Sequence, residues 1–387
     1  MQLKQLIKML LQNVFLPVVY RLYAGRPVEK GSVLFADAHH EEMPFAMKRV
    51  YEQVTAEGTT AQNGTPLRVQ TFIRDFGRLS FVQTAVFLLR FMKAYATAET
   101  VFICDYFLPV ASCRKRQETT VIQLWHSCGL LKKIGHDARE DVPAHYRGDL
   151  YGNYSYLTLS APACIDVHAK ALLLPAERIR AVGVSRTDCY FDNEWNEACR
   201  RRFYEEHPEA LGKKIALWAP TFRGNAGNPR LEGLEDILRA REALSGDWFF
   251  IIKAHPHIDA HGQVSNCRIL TEELLPVTDV LITDYSSILF DYLIYERPAV
   301  LFAPDLQEYE AGRGFYIDYR SLPFEVVTDG TGLPDAVKRA EDLCRENRQD
   351  IHQWRVTYTG ACDGKATERI LRLAGLRPSG PGERRKR

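Results

Sequence analysis

The regular alternation of short apolar segments with amphipathic helical segments is the feature that most constrains how this chain folds. From about Gly31 onward, runs rich in β-branched residues are separated by stretches whose apolar residues recur every three or four positions. Parallel strands need a long crossover, usually a helix, so this rhythm predicts parallel βα units. The predicted strands are Ser32–Ala36, Arg68–Ile73, Val101–Cys104, Val121–Leu124, Ser155–Leu159, Arg180–Val182, Lys214–Trp218, Trp248–Ile252, Cys267–Leu270, Val280–Thr283 and Ala299–Phe302. The predicted helices are Pro44–Ala56, Phe81–Thr97, Ile165–Leu174, Leu231–Leu244, Ile288–Glu296, Pro334–Asn347 and Lys365–Leu376.

The length of 387 residues exceeds what one hydrophobic core usually organises, so two domains are expected. The polar helical stretch Asn193–Glu206 separates two halves with the same rhythm, which places the boundary near residue 195. The sequence therefore predicts an α/β fold of two doubly wound, Rossmann-like domains. In this organisation residues 1–24 form an amphipathic helix, 25–195 the first domain, 196–376 the second domain and 377–387 a disordered basic tail.

The composition argues against several classes of protein. A formal net charge of +1 gives no sign of the basic surface that nucleic-acid binding needs. Nine cysteines are scattered without a CxxC pair, which argues against a disulfide scaffold or a zinc site and favours a reducing, cytoplasmic compartment. No segment reaches the ~20 continuous apolar residues that span a bilayer. No feature of the sequence indicates an oligomeric state.

The first 24 residues have a pattern of their own. Apolar residues recur at helical spacing while Lys4 and Lys8 fall on the other side of the predicted helix. The apolar positions are Leu3, Leu6, Ile7, Leu10 and Leu11. The segment that follows lacks the small-residue cleavage site of a secretory signal. Two interpretations stay open: a helix lying in a membrane surface, or a helix docked on its own domain.

Ligands of open α/β sheets bind beyond the carboxyl ends of the strands, so polar residues directly after a buried strand are candidate site residues. In the second half, Thr221 and Arg223 follow one strand and offer a hydroxyl and a guanidinium suited to phosphate. Lys253 and His255 follow the next strand, and a histidine there could protonate a leaving group near neutral pH. The alternatives are a surface ion pair or turn for the first pair and a capping role for the histidine.

The run 278–291 is a predicted strand that enters a helix through Asp284, Ser286 and Ser287. Free N–H groups of a first helical turn attract an anion, although an ordinary N-cap would explain one of the serines. Asp291, one helical turn later, could accept a hydrogen bond from a ribose hydroxyl. Arg313 lies between glycines in a later loop and could close over a phosphate.

In the first half, the strand Val121–Leu124 leads into Trp125 and His126, with Lys132 a few residues further on. A histidine at a strand tip is a candidate general base, although single histidines are more often structural. These residues complete the set of candidate site residues.

Taken together, these motifs resemble the CDP-glycerol glycerophosphotransferase family, which primes or polymerises teichoic acids and related polymers. The resemblance covers residues from about 30 to 375. The motifs, in the order in which they occur in the chain, are Gln-Leu-Trp-His-Ser-Cys-Gly-Leu-Leu-Lys-Lys-Ile-Gly (123–135), Ala-Pro-Thr-Phe-Arg (219–223), Lys-Ala-His-Pro (253–256), Asp-Val-Leu-Ile-Thr-Asp-Tyr-Ser-Ser-Ile-Leu-Phe-Asp (279–291) and Arg-Gly-Phe (313–315).

The resemblance implies the GT-B architecture, in which two Rossmann-like domains face a cleft, and an enzyme located peripherally on the inner face of the cell membrane. The implied reaction transfers glycerol phosphate from CDP-glycerol to a hydroxyl of a lipid-linked, glycan or polyol-phosphate acceptor and releases CMP, without a cofactor or metal. His126 would be the base and His255 would help CMP leave. The residues implied in substrate binding are Trp125, Lys132, Thr221, Arg223, Lys253, Asp284, Ser286, Ser287, Asp291 and Arg313. Asp284 and Asp291 would orient ribose, cytosine or neighbouring side chains, because a carboxylate repels phosphate.

The sequence departs from the family pattern in two places. Where relatives often have Trp-His-Gly-Thr-Pro-Leu-Lys, residues 127–131 make the segment before Lys132 one residue longer, which leaves the acceptor open. Where relatives have Gly-Tyr-Pro-Arg-Asn-Asp, this chain has Gly-Val-Ser-Arg-Thr-Asp at 183–188. Three alternatives remain: transfer of ribitol phosphate or another polyol or sugar phosphate, a nucleotide-sugar 2-epimerase of the same fold, and a non-catalytic protein that binds nucleotide or membrane.

Overall fold

A computed structural model of the chain describes residues 9–142, 148–221, 223–225, 228–253 and 265–378. The described residues divide into two compact units. The first unit contains the chain up to His126, the segment Arg139–Asp188 and the chain from Ala361 onward. The second unit contains Ser127–Ala138 and Cys189–Gly360.

The first unit is built on a six-stranded sheet in the order β3-β1-β4-β5-β6-β7, in which every neighbouring pair is parallel. Its strands are β1 (Ser32–Asp37), β3 (Arg68–Ile73), β4 (Thr100–Ile103), β5 (Thr120–Leu124), β6 (Tyr156–Thr158) and β7 (Ile179–Arg180), and the short β2 (Thr60–Ala61) lies apart. Every residue of β1 and β4 is buried, as expected for strands covered on both faces. The prediction of parallel βα units is confirmed for this half.

One helix precedes β1 and the others lie between strands, and each buries apolar residues. They are α1 (Leu16–Ala24), α2 (Phe45–Thr55), α3 (Phe81–Tyr95), α4 (Leu108–Ala111) and α5 (Ile165–Leu172). Helix α3 begins at Ser80, whose hydroxyl accepts from the Gln83 N–H while the Gln83 side chain accepts from the Ser80 N–H. This reciprocal capping box satisfies two N–H groups that a helix start leaves unpaired, so α3 begins at a defined residue.

The second unit holds a five-stranded parallel sheet in the order β11-β8-β12-β13-β14. Its strands are β8 (Lys214–Trp218), β11 (Trp248–Ile252), β12 (Val280–Thr283), β13 (Ala299–Phe302) and β14 (Glu325–Val327), with a separate antiparallel pair β9 (Arg223–Asn225) and β10 (Asn228–Arg230). Its helices are α6 (Asn193–Glu206), α7 (Leu234–Ala243), α8 (Thr271–Leu274), α9 (Ile288–Tyr292), α10 (Leu306–Gly312), α11 (Leu333–Glu346) and α12 (Arg348–Thr359). The sequence did not predict β14, the β9–β10 pair, α8, α10 or α12.

The predicted strand Cys267–Leu270 is wrong, because this segment adopts no strand conformation. Its neighbour Asn266 explains the difference. The Asn266 side-chain oxygen accepts from the Ile252 N–H at 2.8 Å, and its amide nitrogen donates to the Phe250 carbonyl at 2.7 Å. One side chain thus satisfies backbone groups on the outer edge of β11, where a further strand would otherwise pair.

The division into units differs from the predicted domains 25–195 and 196–376 at both ends of the second domain. Helix α13 (Ala366–Leu373) and strand β15 (Leu376–Arg377) lie in the first unit, where Ile370 and Leu371 join the core around Phe35. The Asp188 carboxylate holds the first turn of α13 in this unit, because it accepts from the Ala366 N–H at 2.9 Å and from the Thr367 N–H at 2.7 Å. Burial of Ile370 and Leu371 and the bonds to Asp188 together place α13 in the first unit.

The N-terminal helical segment is apolar on two sides. A π-helical turn (Leu11–Phe15) leads into α1, and Leu16, Val19 and Tyr20 are buried, with the Tyr20 ring 5.3 Å from the Tyr95 ring of α3. The opposite side exposes a row of apolar residues, here called the outer row: Leu10 (54% exposed), Val14 (55%), Val18 (51%) and Leu22 (74%). The helix is docked on its own unit and still presents an apolar face. Among the described residues, no helix has both the length and the apolar character needed to span a bilayer.

Replacing Gly183 with alanine should destabilise the first unit by about 2 kcal/mol or more. Gly183 has φ +91°, and a Cβ there would lie 2.4 Å from the Ala361 carbonyl oxygen and 2.6 Å from the Ala366 Cβ. The matched control is Gly246→Ala, where a Cβ meets no atom within 4 Å. Urea denaturation of both variants checks this, and equal midpoints would show that residues 361–366 can move away at little cost.

Candidate active site

His126 lies directly after β5, at the carboxyl edge of the first sheet. Its Nδ1 is 3.2 Å from the carbonyl oxygen of Cys104, which follows β4. A carbonyl only accepts, so Nδ1 carries the hydrogen and Nε2 of the neutral ring keeps a lone pair. Trp125 stacks on His126 with ring centroids 5.3 Å apart, and it also lies nearly perpendicular to the buried His168 ring, with centroids 5.3 Å apart. The imidazole is therefore held in the tautomer that a general base requires.

A second imidazole on the same sheet edge was missed by the sequence reasoning. Asp37, the last residue of β1, is buried, and its Oδ1 accepts from the His40 ring Nδ1 at 2.8 Å and from the backbone N–H groups of His39 and His40. Its Oδ2 accepts from the Cys104 thiol at 3.4 Å. The hydrogen bond that the His40 ring donates to the Asp37 carboxylate raises the pKa of His40. The signal was present, because these polar residues directly follow a buried strand.

In the second unit, Arg223 joins the residues that follow three strands. Its Nη2 donates to Asp284 Oδ2 and to Asp305 Oδ1, both at 2.9 Å, and its Nε donates to Asp305 Oδ2 at 2.6 Å. Its Nη1 donates to the Thr221 carbonyl at 2.7 Å. The guanidinium also lies over the rings of Tyr285 and Tyr309, 4.7 and 5.0 Å from their centroids. Asp305 was not predicted, although it lies three residues after the end of β13.

These contacts bear on the predicted phosphate contact of Arg223. All three guanidinium nitrogens donate within the protein, and the Arg223, Asp284 and Asp305 side chains are only 10, 5 and 15% exposed. Burial alone would lower the pKa of Arg223, but the two carboxylates outweigh it and raise the pKa. The geometry therefore favours Arg223 as the residue that positions Asp284 and Thr221, rather than as a direct phosphate ligand.

The hydroxyls predicted for phosphate binding lie around Asp284. Oδ1 of Asp284 accepts from the Thr221 N–H at 2.8 Å and from the Tyr285 N–H at 2.6 Å, so it fixes the ends of both β8 and β12. The Thr221 hydroxyl oxygen is buried and has no hydrogen-bond partner among the described residues. Ser286 accepts from the Ile288 N–H at 3.4 Å, as a capping serine would, whereas Ser287 makes no side-chain capping bond at the start of α9.

The side chains of two predicted site residues make hydrogen bonds within the protein. Asp291 is fully buried, and its Oδ1 accepts from the Tyr190 hydroxyl at 3.3 Å and from the Cys128 thiol at 3.9 Å. This burial favours a structural role over the predicted contact with ribose. Lys253 donates from Nζ to the Cys267 carbonyl at 3.0 Å and so holds the segment that follows β11. The predicted His255 lies outside the described residues.

The motif around His126 divides between the units, because His126 belongs to the first and Lys132 to the second. Lys132 pairs with Phe315 in an antiparallel bridge, and the Lys133 N–H donates to the Gly314 carbonyl at 3.1 Å. Arg313 Nε donates back to the Lys133 carbonyl at 2.9 Å. Two motifs that are 180 residues apart in the chain therefore form one short backbone ladder.

Within the described ranges, no group of three or more histidine, cysteine or acidic side chains is arranged to hold a metal ion. Metal independence stays a prediction. The two units thus define a class of protein: a parallel α/β enzyme scaffold with an anchored imidazole on one sheet edge and a set of hydroxyl and N–H donors on the other.

Comparison with known proteins identifies the family. The family model described as CDP-glycerol:poly(glycerophosphate) glycerophosphotransferase matches residues 18–374. The teichoic acid ribitol-phosphate primase of Bacillus spizizenii is 28% identical over 95% of this chain and 97% of its own length. The teichoic acid glycerol-phosphate primase of Bacillus subtilis is 28% identical over 65% of this chain and 68% of its own length. The solved wall teichoic acid polymerase TagF is 21% identical, with a TM-score of 0.72, over 96% of this chain and 97% of that one.

The chain belongs to the CDP-glycerol glycerophosphotransferase family, as its motifs predicted. The predicted enzyme class, a phosphotransferase that uses CDP-glycerol, is confirmed by this membership. The epimerase and non-catalytic alternatives lose their support. The likeness to TagF shows a shared fold.

Arg223→Ala should destabilise the second unit by about 3 kcal/mol, because it leaves Asp284 and Asp305 as uncompensated, mostly buried carboxylates. The matched control is Arg202→Ala. Arg202 also bonds two carboxylates, Glu206 and Glu273, but it is 51% exposed, so its loss should cost under about 1 kcal/mol. Urea denaturation compares the two variants, and equal losses would contradict a buried network.

The effect of Arg223→Ala should also depend on pH. Burial alone would raise the pKa of Asp305, but Arg223 outweighs it and the pKa is lowered. Such a carboxyl contributes stability above its ordinary pKa of 3.8, and the contribution is lost as pH falls through the lower folded value. The stability difference between wild type and variant should therefore shrink below pH 3.8. A difference that persists there would instead implicate packing against Tyr285 and Tyr309.

Proposed function

We propose that this protein transfers glycerol phosphate from CDP-glycerol to a hydroxyl of a lipid-linked acceptor and releases CMP, in the synthesis of teichoic acid or a related cell-surface polymer. The observation that carries the proposal is the family match, which extends through both units from residue 18 to residue 374. The first unit would bind the acceptor and the second the donor. The GT-B arrangement, in which two such units face a cleft, stays a prediction.

In the proposed reaction, the acceptor oxygen attacks the phosphorus that bears glycerol, and the bond from that phosphorus to the CMP oxygen breaks. His126 would take the hydroxyl proton on Nε2, the nitrogen left unprotonated by the Nδ1 bond to Cys104. His255 would supply a proton to the departing CMP. Such a transfer needs positioning and charge stabilisation more than covalent help.

For the donor phosphates, we propose the hydroxyls of Thr221, Ser286 and Ser287 together with Arg313. The buried Thr221 oxygen supports this assignment, because a buried hydroxyl that makes no hydrogen bond costs free energy unless a ligand satisfies it. Arg223 would act by positioning, through Asp284. Lys132 would act near Arg313, since both belong to the same ladder.

Ribitol phosphate is the second candidate for the transferred group. The relative that matches over 97% of its own length is a ribitol-phosphate primase. CDP-glycerol and CDP-ribitol differ in the number of hydroxyls on the polyol but share the CMP leaving group, so both would use the same phosphate contacts.

Purified protein should release CMP from CDP-glycerol or CDP-ribitol in the presence of a hydroxyl acceptor. Absence of CMP release across a panel of both donors with lipid-linked and soluble acceptors would contradict the proposal. The ratio of kcat/KM for the two donors decides between the polyols.

His126→Ala should lower kcat for CMP release by about 10²-fold or more while donor binding stays within severalfold, because His126 is assigned to the acceptor hydroxyl. The matched control is His352→Ala, since His352, like His126, is an exposed histidine bonded within the protein, in its case to Glu296. Equal loss of donor binding and turnover in His126→Ala would overturn its role as the base.

We further propose that the outer row of the N-terminal helix attaches the enzyme to the inner face of the membrane. Four exposed apolar side chains at a spacing of four residues form one continuous row, and burying them in a bilayer interface would remove apolar area from water. The neighbouring Arg21 is exposed and would lie near anionic headgroups.

Val18→Glu and Leu22→Glu should each reduce sedimentation with anionic liposomes, because a carboxylate opposes both apolar burial and the anionic surface. Leu211→Glu is the matched control, since Leu211 is 64% exposed in the second unit. Substitution is preferable to deletion, which would also uncover the surface against which Leu16 and Val19 pack. Unchanged sedimentation of both variants would remove the membrane proposal.

A further inference from the structure

The short backbone ladder of the second unit has two faces, and a different set of contacts fixes each face. The ladder joins residues 131–133 to residues 314–316, with the bridge between Lys132 and Phe315 at its centre. Two backbone hydrogen bonds, of 2.8 and 3.1 Å, flank this bridge. Because the ladder carries Lys132 and directly follows Arg313, its position decides where the two cations proposed for the donor phosphates lie.

One face of the ladder packs on aromatic residues at the carboxyl edge of the second sheet. The Phe315 ring stacks on the rings of Tyr319 and Tyr309, with centroids 5.1 and 5.6 Å apart, and lies 5.4 Å from the Tyr285 ring. Tyr319 in turn donates from its hydroxyl to the Asp284 carbonyl at 3.1 Å. This face therefore sets the position of the Phe315 side of the ladder relative to the end of β12.

The side chain of Tyr316 holds the opposite face, because neighbouring residues of an extended strand project to opposite sides. Its hydroxyl donates to Asp137 Oδ2 at 2.8 Å and accepts from the Ile134 N–H at 3.3 Å. A hydroxyl can make both bonds at once, since its hydrogen serves the first and a lone pair the second. Tyr316 therefore joins the ladder to the turn 134–137, which continues the chain beyond Lys133.

The Tyr316 hydroxyl matters for Lys132 because the ladder is short. Two strands joined by two backbone hydrogen bonds are marginally stable by themselves, so side-chain contacts decide how fully the ladder is formed. Arg313 also bonds the segment that carries Lys132, at the Lys133 carbonyl, but with the side chain that is assigned to phosphate. Without the Tyr316 bonds, a donor would have to order this segment as it binds, and the lost chain entropy would lower its affinity.

We propose that Tyr316, through its bond to Asp137, is a positioning residue for donor binding, because it holds the segment of Lys132 in the place where the donor phosphates bind. The inference rests on the proposed function, since it assumes that Lys132 and Arg313 contact these phosphates. Tyr316 and Asp137 themselves act without touching the donor. The proposal adds two residues that set the affinity for CDP-glycerol and take no part in the bond-making step.

The test removes the two partners of this bond one at a time in the full-length protein. Tyr316→Phe removes the hydroxyl and keeps the ring, and Asp137→Ala removes the acceptor at an exposed position. Each should raise the KM for CDP-glycerol and the calorimetric Kd for CDP about tenfold, while kcat changes less than about twofold, as expected when binding alone is weakened. Asp137→Asn, which keeps an acceptor oxygen, should restore the affinity, and Asp137→Ala added to Tyr316→Phe should cause no further loss.

The matched control is Tyr295→Phe. Tyr295 is also a half-buried tyrosine of the second unit, and its hydroxyl donates to Asn196 Oδ1 at 2.8 Å. This variant should keep the wild-type KM and Kd. A purely structural role for Tyr316 would instead reduce the folded fraction, which lowers the apparent kcat and the binding stoichiometry and leaves KM and Kd unchanged. Unchanged KM and Kd in Tyr316→Phe, or an equal loss of affinity in Tyr295→Phe, overturns the proposal.

Failure of the proposed function gives a different pattern, because binding of CDP does not require transfer. If Tyr316→Phe and Asp137→Ala weaken CDP binding but even the wild type releases no CMP with any donor and acceptor, the transfer reaction is wrong and the positioning role stands. If CMP is released with the same KM in Tyr316→Phe as in the wild type, the transfer reaction stands and the positioning role is wrong. If the wild type binds neither CDP nor CDP-glycerol, both are wrong.

Discussion

The parallel direction of every strand pair in the two main sheets is the constraint on which the rest of the structure depends. Parallel strands bring their carboxyl ends to one edge, so residues far apart in the chain become neighbours where the buried runs stop. In the first unit this edge collects Asp37, Cys104 and His126 from three adjacent strands. In the second unit it collects Thr221, Asp284 and Asp305. The parallel pairs hold these strands in a defined register, and the positions of these polar groups follow from it.

Much of this could be predicted from the sequence, because buried strands and amphipathic helices have strong periodic signals. Ten of the eleven predicted strands correspond to strands in the structure, and the motif residues at the strand ends of the second unit lie close together. The failures have specific causes. The side-chain amide of Asn266 bonds the backbone groups at the edge of β11, where a further strand was predicted to pair. Hydrophobic periodicity gives no information on whether a side chain or a strand bonds such an edge. His40 and Asp305 follow buried strands as the other candidates do, but neither lies in a family motif. Their hydrogen bonds, to Asp37 and Arg223, could therefore be recognised only from the fold.

The path of the chain between the units could not be predicted for a different reason. Helix α13 has the same amphipathic pattern as its neighbours, and periodicity cannot tell which sheet an apolar face will cover. The choice depends on two contacts distant in sequence: burial of Ile370 and Leu371 in the core of the first unit, and the bonds from Asp188 to the first turn of α13. Gly183 is required beside this turn because the Ala361 carbonyl occupies the space of a side chain.

The contacts of Arg223 change the expected distribution of charge at the carboxyl edge of the second sheet. An arginine at a strand exit suggests a phosphate ligand, yet Arg223 has its nitrogens committed to Asp284, Asp305 and Thr221. A cation neutralised by two carboxylates adds little attraction for a diphosphate, so its contribution must be geometric: it fixes the carboxylate that in turn holds the Thr221 and Tyr285 N–H groups. Charge stabilisation of the donor would then fall to hydroxyls, to N–H dipoles and to cations outside this network. A preorganised set of dipoles needs no reorganisation as charge develops in the transition state, which is the arrangement that favours phosphoryl transfer without covalent catalysis.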